Sequence, residues 1–280
     1  MSKVHFTKMH GAGNDYIYVD VREQEIPDPS HAARLWSRQH QGIGSDGLIL
    51  IAPSSVADFQ MRMYNNDGSE GLMCGNGIRC VGKYVYDHRL TSSKEIRIET
   101  RAGIKSLKLH TDSTGHVLSA TVDMGQPMFH QPSQLATSGG EMVEGVIYAH
   151  EKTYQGTFVS MGNPHFVVFV PDIRLIEMEK EGLALEHHPI FPQKCNIEFA
   201  QLLPDGSLRT RVWERGSGIT LACGTGACAT AVAASLTKIA GRSSKIVMDG
   251  GELSVEWRES DNHVYLTGPA TTVFEGEIDL

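Results

Sequence analysis

Residues 68–80 read GSEGLMCGNGIRC and residues 216–228 read GSGITLACGTGAC. The two stretches share a Gly-Ser lead-in, a Cys-Gly-x-Gly core and a second cysteine five or six residues on. They lie about half the chain length apart, so the simplest reading is two related halves with one copy each. In each copy a cysteine ends an extended segment, and Gly-x-Gly opens a run of apolar or small residues, GIRCVGKYVY or GACATAVAASLTKIA. Neither run carries the polar stripe of a surface helix, so both are expected to be helices enclosed by sheet.

Outward from these two helices the pattern is mostly short strands. VHFTKM, YIYVD, FQMRMYN, EIRIET, LSATVDM, HFVVFV, NIEFAQLL, SLRTRVWE, LSVEW and HVYLT alternate or are rich in β-branched and aromatic residues. Helical patterns are fewer, at residues 30–40, 76–88, 174–186 and 225–239. Strands and helices do not alternate regularly, which favours an α+β fold over a parallel βαβ sheet. A length of 280 residues suggests about two domains. No low-complexity linker marks a boundary, which is placed loosely at residues 125–132. The charged stretch RLIEMEKEGLALE reads as a solvated helix without functional weight.

Composition narrows the function. With 25 basic and 33 acidic side chains the net charge is −8, which argues against a nucleic-acid partner. A hydrophobic share of 40% is that of an ordinary soluble protein. The first residues lack the apolar core of a signal peptide, and no apolar run approaches the ~18 residues that span a bilayer. A cytoplasmic chain with no membrane partner is therefore expected, and its five cysteines should be thiols.

A thiol at a helix N-terminus meets unpaired amides and the positive end of the helix dipole, which favour the thiolate. The same amides, approached closely where glycine has no Cβ, form a cradle for a carboxylate or phosphate. Two such units suit inversion at a carbon bearing an acidic hydrogen. One base removes the proton from one face while an acid delivers a proton to the other, as two halves facing across a cleft could do. No pyridoxal phosphate or other cofactor is required, and no lysine sits in a context that marks a Schiff-base partner.

Along its whole length the sequence resembles the diaminopimelate epimerase family. The resemblance rests on FTKMHGAGNDYIYVD near the start, YNNDGSEGLMCGNGIRC, GNPH at residues 162–165, CNIEFAQ from Cys195 and RVWERGSGITLACGTGACATA. It implies two pseudo-symmetric domains, each a β-barrel-like sheet around a central helix. Residues 1–125 with 270–280 would form the first and residues 126–269 the second. It implies Cys74 and Cys223 as the acid/base pair, with His165 and Glu214 beside them. Gly75, Asn76, Gly224 and Thr225 would offer backbone amides to the reacting carboxylate. Asn14, Asn65, Asn163, Asn196, Glu214 and Arg215 would hold the substrate, with Arg215 able to clamp a distal carboxylate bidentately. A homodimer is expected from the resemblance alone. One departure is GIGSDG at residues 42–47, where some family members carry Gln at the position of Gly47.

The remaining candidates read more plainly. Cys80, Cys228 and Cys195 are expected to be small buried hydrophobes. A zinc site is not expected, because C-x5-C and C-x4-C are not structural zinc spacings. His187 and His188 belong to a surface loop. A racemase of proline or hydroxyproline is the nearest rival, but a cyclic amino acid would give the binders of a second carboxylate nothing to hold. A phosphate-binding protein would want a P-loop or dinucleotide fingerprint, and a thiol redox protein a C-x-x-C. Neither a P-loop nor a C-x-x-C occurs, and CGNG is not followed by a dinucleotide fingerprint with an acidic residue in place.

Overall fold

A computed structural model describes residues 3–280. The elements in chain order are β1 (Lys3–Gly11), β2 (Asn14–Asp20), α1 (Pro29–Trp36), β3 (Gly47–Ala52), β4 (Phe59–Asn65), α2 (Gly75–Asp87), β5 (Glu95–Thr100), β6 (Gly103–Thr111) and β7 (Val117–Asp123). There follow β8 (Gly145–Ala149), β9 (Lys152–Ser160), β10 (Pro164–Phe169), α3 (Met178–Glu186), β11 (Asn196–Leu202), β12 (Leu208–Glu214) and β13 (Gly218–Thr220). The chain ends with α4 (Gly224–Leu236), β14 (Ser243–Met248), β15 (Gly251–Trp257), β16 (Val264–Pro269) and β17 (Thr271–Asp279). The fold is α+β and dominated by sheet. One compact unit runs to Val122 and takes back Thr267–Leu280; the other is Asp123–Leu266.

Both units repeat one strand succession. In the first, β1 and β2 are antiparallel, β2 and β3 parallel, β3 and β4 antiparallel, β4 and β5 parallel, and β5 and β6 antiparallel. In the second the same order runs through β9, β10, β11, β12, β14 and β15. Each sheet wraps one helix in a barrel-like arrangement. α2 packs on β1, β2 and β6, while α4 touches six strands of its own unit. Burial agrees with the apolar reading of both helices: residues 75–82 are all buried, as are Gly226 to Ala234. Alanine and glycine let the sheet come close. A Cβ at Gly82 would lie 2.9 Å from Leu109 Cδ2 and 3.0 Å from Leu107 Cδ2.

Two helices differ from the sequence reading. α1 is capped by Asp28, whose carboxylate accepts from His31 N, but it ends at Trp36 instead of continuing to residue 40. There the chain doubles back, and Gly44 N donates to Trp36 O. A Cβ at Gly42 would stand 2.5 Å from Leu35 O, so glycine is what permits the return. The segment 174–186 is not one solvated helix. A short 3-10 turn, Ile173–Leu175, precedes α3, and Glu181 and Glu186 are buried at 1% and 2% exposure. Glu181 accepts from Lys152 Nζ and Tyr154 Oη, both at 2.8 Å, which offsets the cost of burying its charge. No described helix is long and apolar enough to cross a membrane.

Candidate active site

Cys74 is the N-cap of α2, with extended backbone dihedrals, and its Sγ accepts from Gly77 N at 3.3 Å. The Cys-Gly-x-Gly spacing thus does what the sequence suggests, setting a thiol on the first turn of a buried helix. Cys74 is half-buried, and its thiol donates to Asn14 Oδ1 at 3.2 Å. Asn14, the first residue of β2, is held from behind: its Nδ2 donates to Asp46 Oδ2 at 2.6 Å, which also accepts from Asp15 N at 3.0 Å. Tyr16 lies two residues along the same strand, buried, and burial followed by the nearby Cys74 pushes its hydroxyl well above the usual value. Asn76 Oδ1 accepts from the fully buried Arg79, which also donates to Gly75 O and Pro269 O and so braces the first turn of α2. Asn65 closes β4 and donates to Ser69 Oγ. Asp46, Tyr16 and Arg79 are additions to the expected set.

The departure at Gly47 has a steric cause in this chain. A Cβ there would lie 2.1 Å from Tyr64 O and 3.0 Å from Tyr16 Cε1, so this backbone admits no side chain at that position.

Cys223 caps α4 in the same way, accepting from Gly226 N at 3.4 Å with Thr225 Oγ1 at 3.5 Å. It is more deeply buried than Cys74, at 6% exposure. Burial first, then the carboxylates of Glu214 and Glu198, push its thiol well above the ordinary range and override the helix-end preference for thiolate expected from sequence. Glu214 ends β12, accepts from Thr220 Oγ1 at 2.5 Å, and is itself raised, chiefly by burial. His165, on β10, is fully buried; its Nδ1 stands 2.7 Å from Glu198 Oε1 and its Nε2 3.2 Å from Asn163 Oδ1. Asn163 Nδ2 donates to Thr225 Oγ1 at 3.3 Å. Asn196 bridges Pro164 O and the backbone amide of the exposed Arg215, whose Nη1 donates to Gln193 O. In this unit the structure therefore joins Asn163, His165, Asn196, Glu214, Arg215, Cys223 and Thr225 through short contacts. It adds Glu198, which lies on the face of Asn196 by strand alternation.

Register exposes a chemical asymmetry between the half-sites. Tyr18 pairs with Ile49 and Gly47 with Asn65 in the first unit; Val167 pairs with Glu198 and His165 with Asn196 in the second. Asn14, Tyr16, Gly47, Ile49 and Asn65 thus correspond in place to Asn163, His165, Asn196, Glu198 and Glu214. A Cβ added to the glycine three residues after each cysteine gives the same match: at Gly77 it would lie 2.6 Å from Ile49 Cδ1, and at Gly226 2.6 Å from Glu198 Oε1. At these corresponding positions the Cys223 half-site has imidazole and carboxylates where the Cys74 half-site has phenol, amide and alkyl groups, with the Asp46 carboxylate behind Asn14. Cys80, Cys195 and Cys228 are fully buried. His187 is exposed just past α3.

The family model described as diaminopimelate epimerase matches residues 6–130 and 157–273. The chain is similar to the diaminopimelate epimerase of Phocaeicola vulgatus, 58% identical over 99% of both chains. It is also similar to that of Methanococcus maripaludis, 51% identical over 98% of this chain and 99% of the other. Among solved structures, a hydroxyproline epimerase from Agrobacterium vitis superposes with a TM-score of 0.73 at 17% identity, covering 99% of this chain and 93% of the other. A Bacillus anthracis phenazine biosynthesis protein of the PhzF family gives 0.73 at 16% identity, with both chains fully covered. At those identities the likeness is one of fold.

Proposed function

The chain belongs to the diaminopimelate epimerase family, and from that premise we propose that it interconverts LL- and meso-2,6-diaminopimelate without a cofactor, Cys74 and Cys223 acting as the two acid/base groups. The observation that carries this reading is the repeated capping: each unit sets one cysteine at the N-cap of its buried helix, with sulfur on the amide three residues on. One thiolate takes the α-proton while the other thiol delivers a proton to the opposite face, and the roles exchange in the reverse direction. Charge that develops on the α-carbon spreads into the adjoining carboxylate. The leading amides of a helix, here Gly75 and Asn76 or Gly224 and Thr225, lack intrahelical acceptors and would stabilise it. The crowding of Cys223 by Glu214 and Glu198 supports a starting state with Cys223 as the thiol.

In this reading His165 and Glu214 tune proton transfer at Cys223. Asn14, Asn65, Asn163, Asn196, Glu214 and Arg215 hold the substrate, with the Arg215 fork on the distal carboxylate. The reaction serves lysine and cell-wall precursor synthesis, and the working enzyme is a cytoplasmic homodimer, a state that sedimentation equilibrium tests directly. Exchange of the α-hydrogen with solvent deuterium tests the chemistry. LL-diaminopimelate should exchange, while proline and hydroxyproline should not. Exchange with the cyclic amino acids instead would assign the chain to the sister chemistry.

A further inference from the structure

We propose that Glu198 is a positioning residue of the Cys223 half-site: it holds the His165 ring through Nδ1, so that Nε2–H is aimed at Asn163 and the Asn163 amide holds Thr225 against the sulfur. The hydrogen bonds form an unbroken series inside one unit. Glu198 Oε1 to His165 Nδ1 is 2.7 Å, His165 Nε2 to Asn163 Oδ1 3.2 Å, Asn163 Nδ2 to Thr225 Oγ1 3.3 Å, and Thr225 Oγ1 to Cys223 Sγ 3.5 Å. The series has a direction. Because Asn163 Nδ2 donates to Thr225, its Oδ1 faces the ring as an acceptor, and Nε2 must carry a hydrogen. Glu198 Oε1 at Nδ1 then fixes the ring in that orientation. Thr225 Oγ1 then stands 3.5 Å from the sulfur, a contact in which either group can donate.

Two further observations mark Glu198 as more than core filling. The equivalent place beside Cys74 is occupied by Ile49, so the strand register itself accepts an apolar residue there. Glu198 is fully buried, and its Oε2 has no hydrogen-bond partner among the described residues. A buried carboxylate with one oxygen unsatisfied is costly to keep, and isoleucine would avoid that cost. The carboxylate fits only because Gly226 is bare, since a Cβ there would approach Oε1 to 2.6 Å. The groups facing Cys223 are Glu214 from β12, Glu198 from β11, and Thr225 with Gly226 from α4 itself.

This inference rests on Cys223 being one of the acid/base thiols, and its test separates the two. In the unmutated protein labelled with 15N-histidine, the His165 ring, assigned with the His165→Gln variant, should show a protonated Nε2. An unprotonated Nε2 overturns the proposal whatever the activity. The variant Glu198→Gln keeps the volume but loses the charge. It should lower kcat about tenfold or more with KM within about threefold. The pH dependence of iodoacetamide alkylation at Cys223 should shift with it. Wild-type kcat and an unchanged alkylation profile in that variant would also overturn it, and if the variant does not fold the ring spectrum decides alone. Retained turnover in Cys223→Ser would refute the two-thiol reading without altering the ring spectrum, so the two failures are distinct.

Discussion

A Cβ at residue 226 would stand 2.6 Å from Glu198 Oε1 and 3.3 Å from Cys223 Cβ, so the second glycine of CGTG is a steric requirement of this half-site. Gly226→Ala should cost about 1–3 kcal/mol in urea unfolding, the usual range for overpacking. It should also lower kcat, because the carboxylate and the thiol are displaced together. Wild-type stability and turnover would show that Glu198 moves aside freely. At the cysteines, Cys74→Ala or Cys223→Ala should reduce epimerisation by about a hundredfold or more, the scale of one lost acid/base group, while substrate analogues still bind by calorimetry. Arg215→Lys should raise KM steeply with little change in kcat, because lysine loses the bidentate fork. An unchanged kcat/KM would remove Arg215 from the substrate site. The capping cysteines were legible because Cys-Gly-x-Gly has one simple helical reading, repeated. Glu198 and Asp46 were not. Each works by bonding a side chain distant in sequence, His165 or Asn14, and no local pattern encodes that contact.

Among the elements, α3 shows how a helix without a catalytic motif bears on the site. Glu186 accepts from Trp213 Nε1 at 2.7 Å and from Gly216 N at 3.1 Å, gripping the strand end and turn that carry Glu214 and Arg215. Gly182 lets the Trp213 ring lie directly on the helix, where a Cβ would come 2.6 Å from Trp213 Cγ. Glu186→Ala leaves the indole N–H and the Gly216 amide without acceptors and should cost about 1–3 kcal/mol in urea unfolding. KM should rise as the Arg215 turn loosens, and a stable variant with unchanged KM would contradict that coupling. From sequence this helix reads as solvated because E-M-E-K-E shows charge without showing which charges are paired. The strands divide on similar lines. Alternating stretches such as FQMRMYN were legible, with burial alternating down to the paired end of β4. β3 is buried at every position, so GLILIA shows no period of two. β17 is largely exposed and polar, and only its pairing with β1 makes it a strand. α4 was legible from composition, being small and apolar throughout, whereas α2 carries Asn76, Arg79, Lys83 and Asp87 and was legible from the Cys-Gly-x-Gly start it shares with α4.

For the whole molecule, the buried thiols set an alkaline limit on stability. Burial pushes Cys80 up to about 11, and raises Cys195 and Cys223 well above the ordinary thiol range. Cys80 lies in the first unit and the other two in the second, so neither unit escapes. In the unfolded chain these thiols titrate near 8.5. Between that value and the folded value the native state holds protons that the unfolded state has released, so stability falls as pH rises. The contribution is fully present below about pH 8.5, and for Cys80 it is lost progressively up to about pH 11. Each thiol can contribute at most about 1.4 kcal/mol per pH unit within its window. The three losses act in the same direction against the 5–15 kcal/mol typical of a folded protein. Buried Tyr18, also raised by burial, adds to the loss at higher pH, as does the repulsion of a chain already at −8. Thermal melts under reductant should therefore be level from pH 7 to 8 and drop steeply above about pH 9. Cys80→Ala should show a shallower drop than wild type because one of the three linked protons is gone. An identical slope in that variant would assign the alkaline loss to the tyrosines and the net charge instead of the thiols.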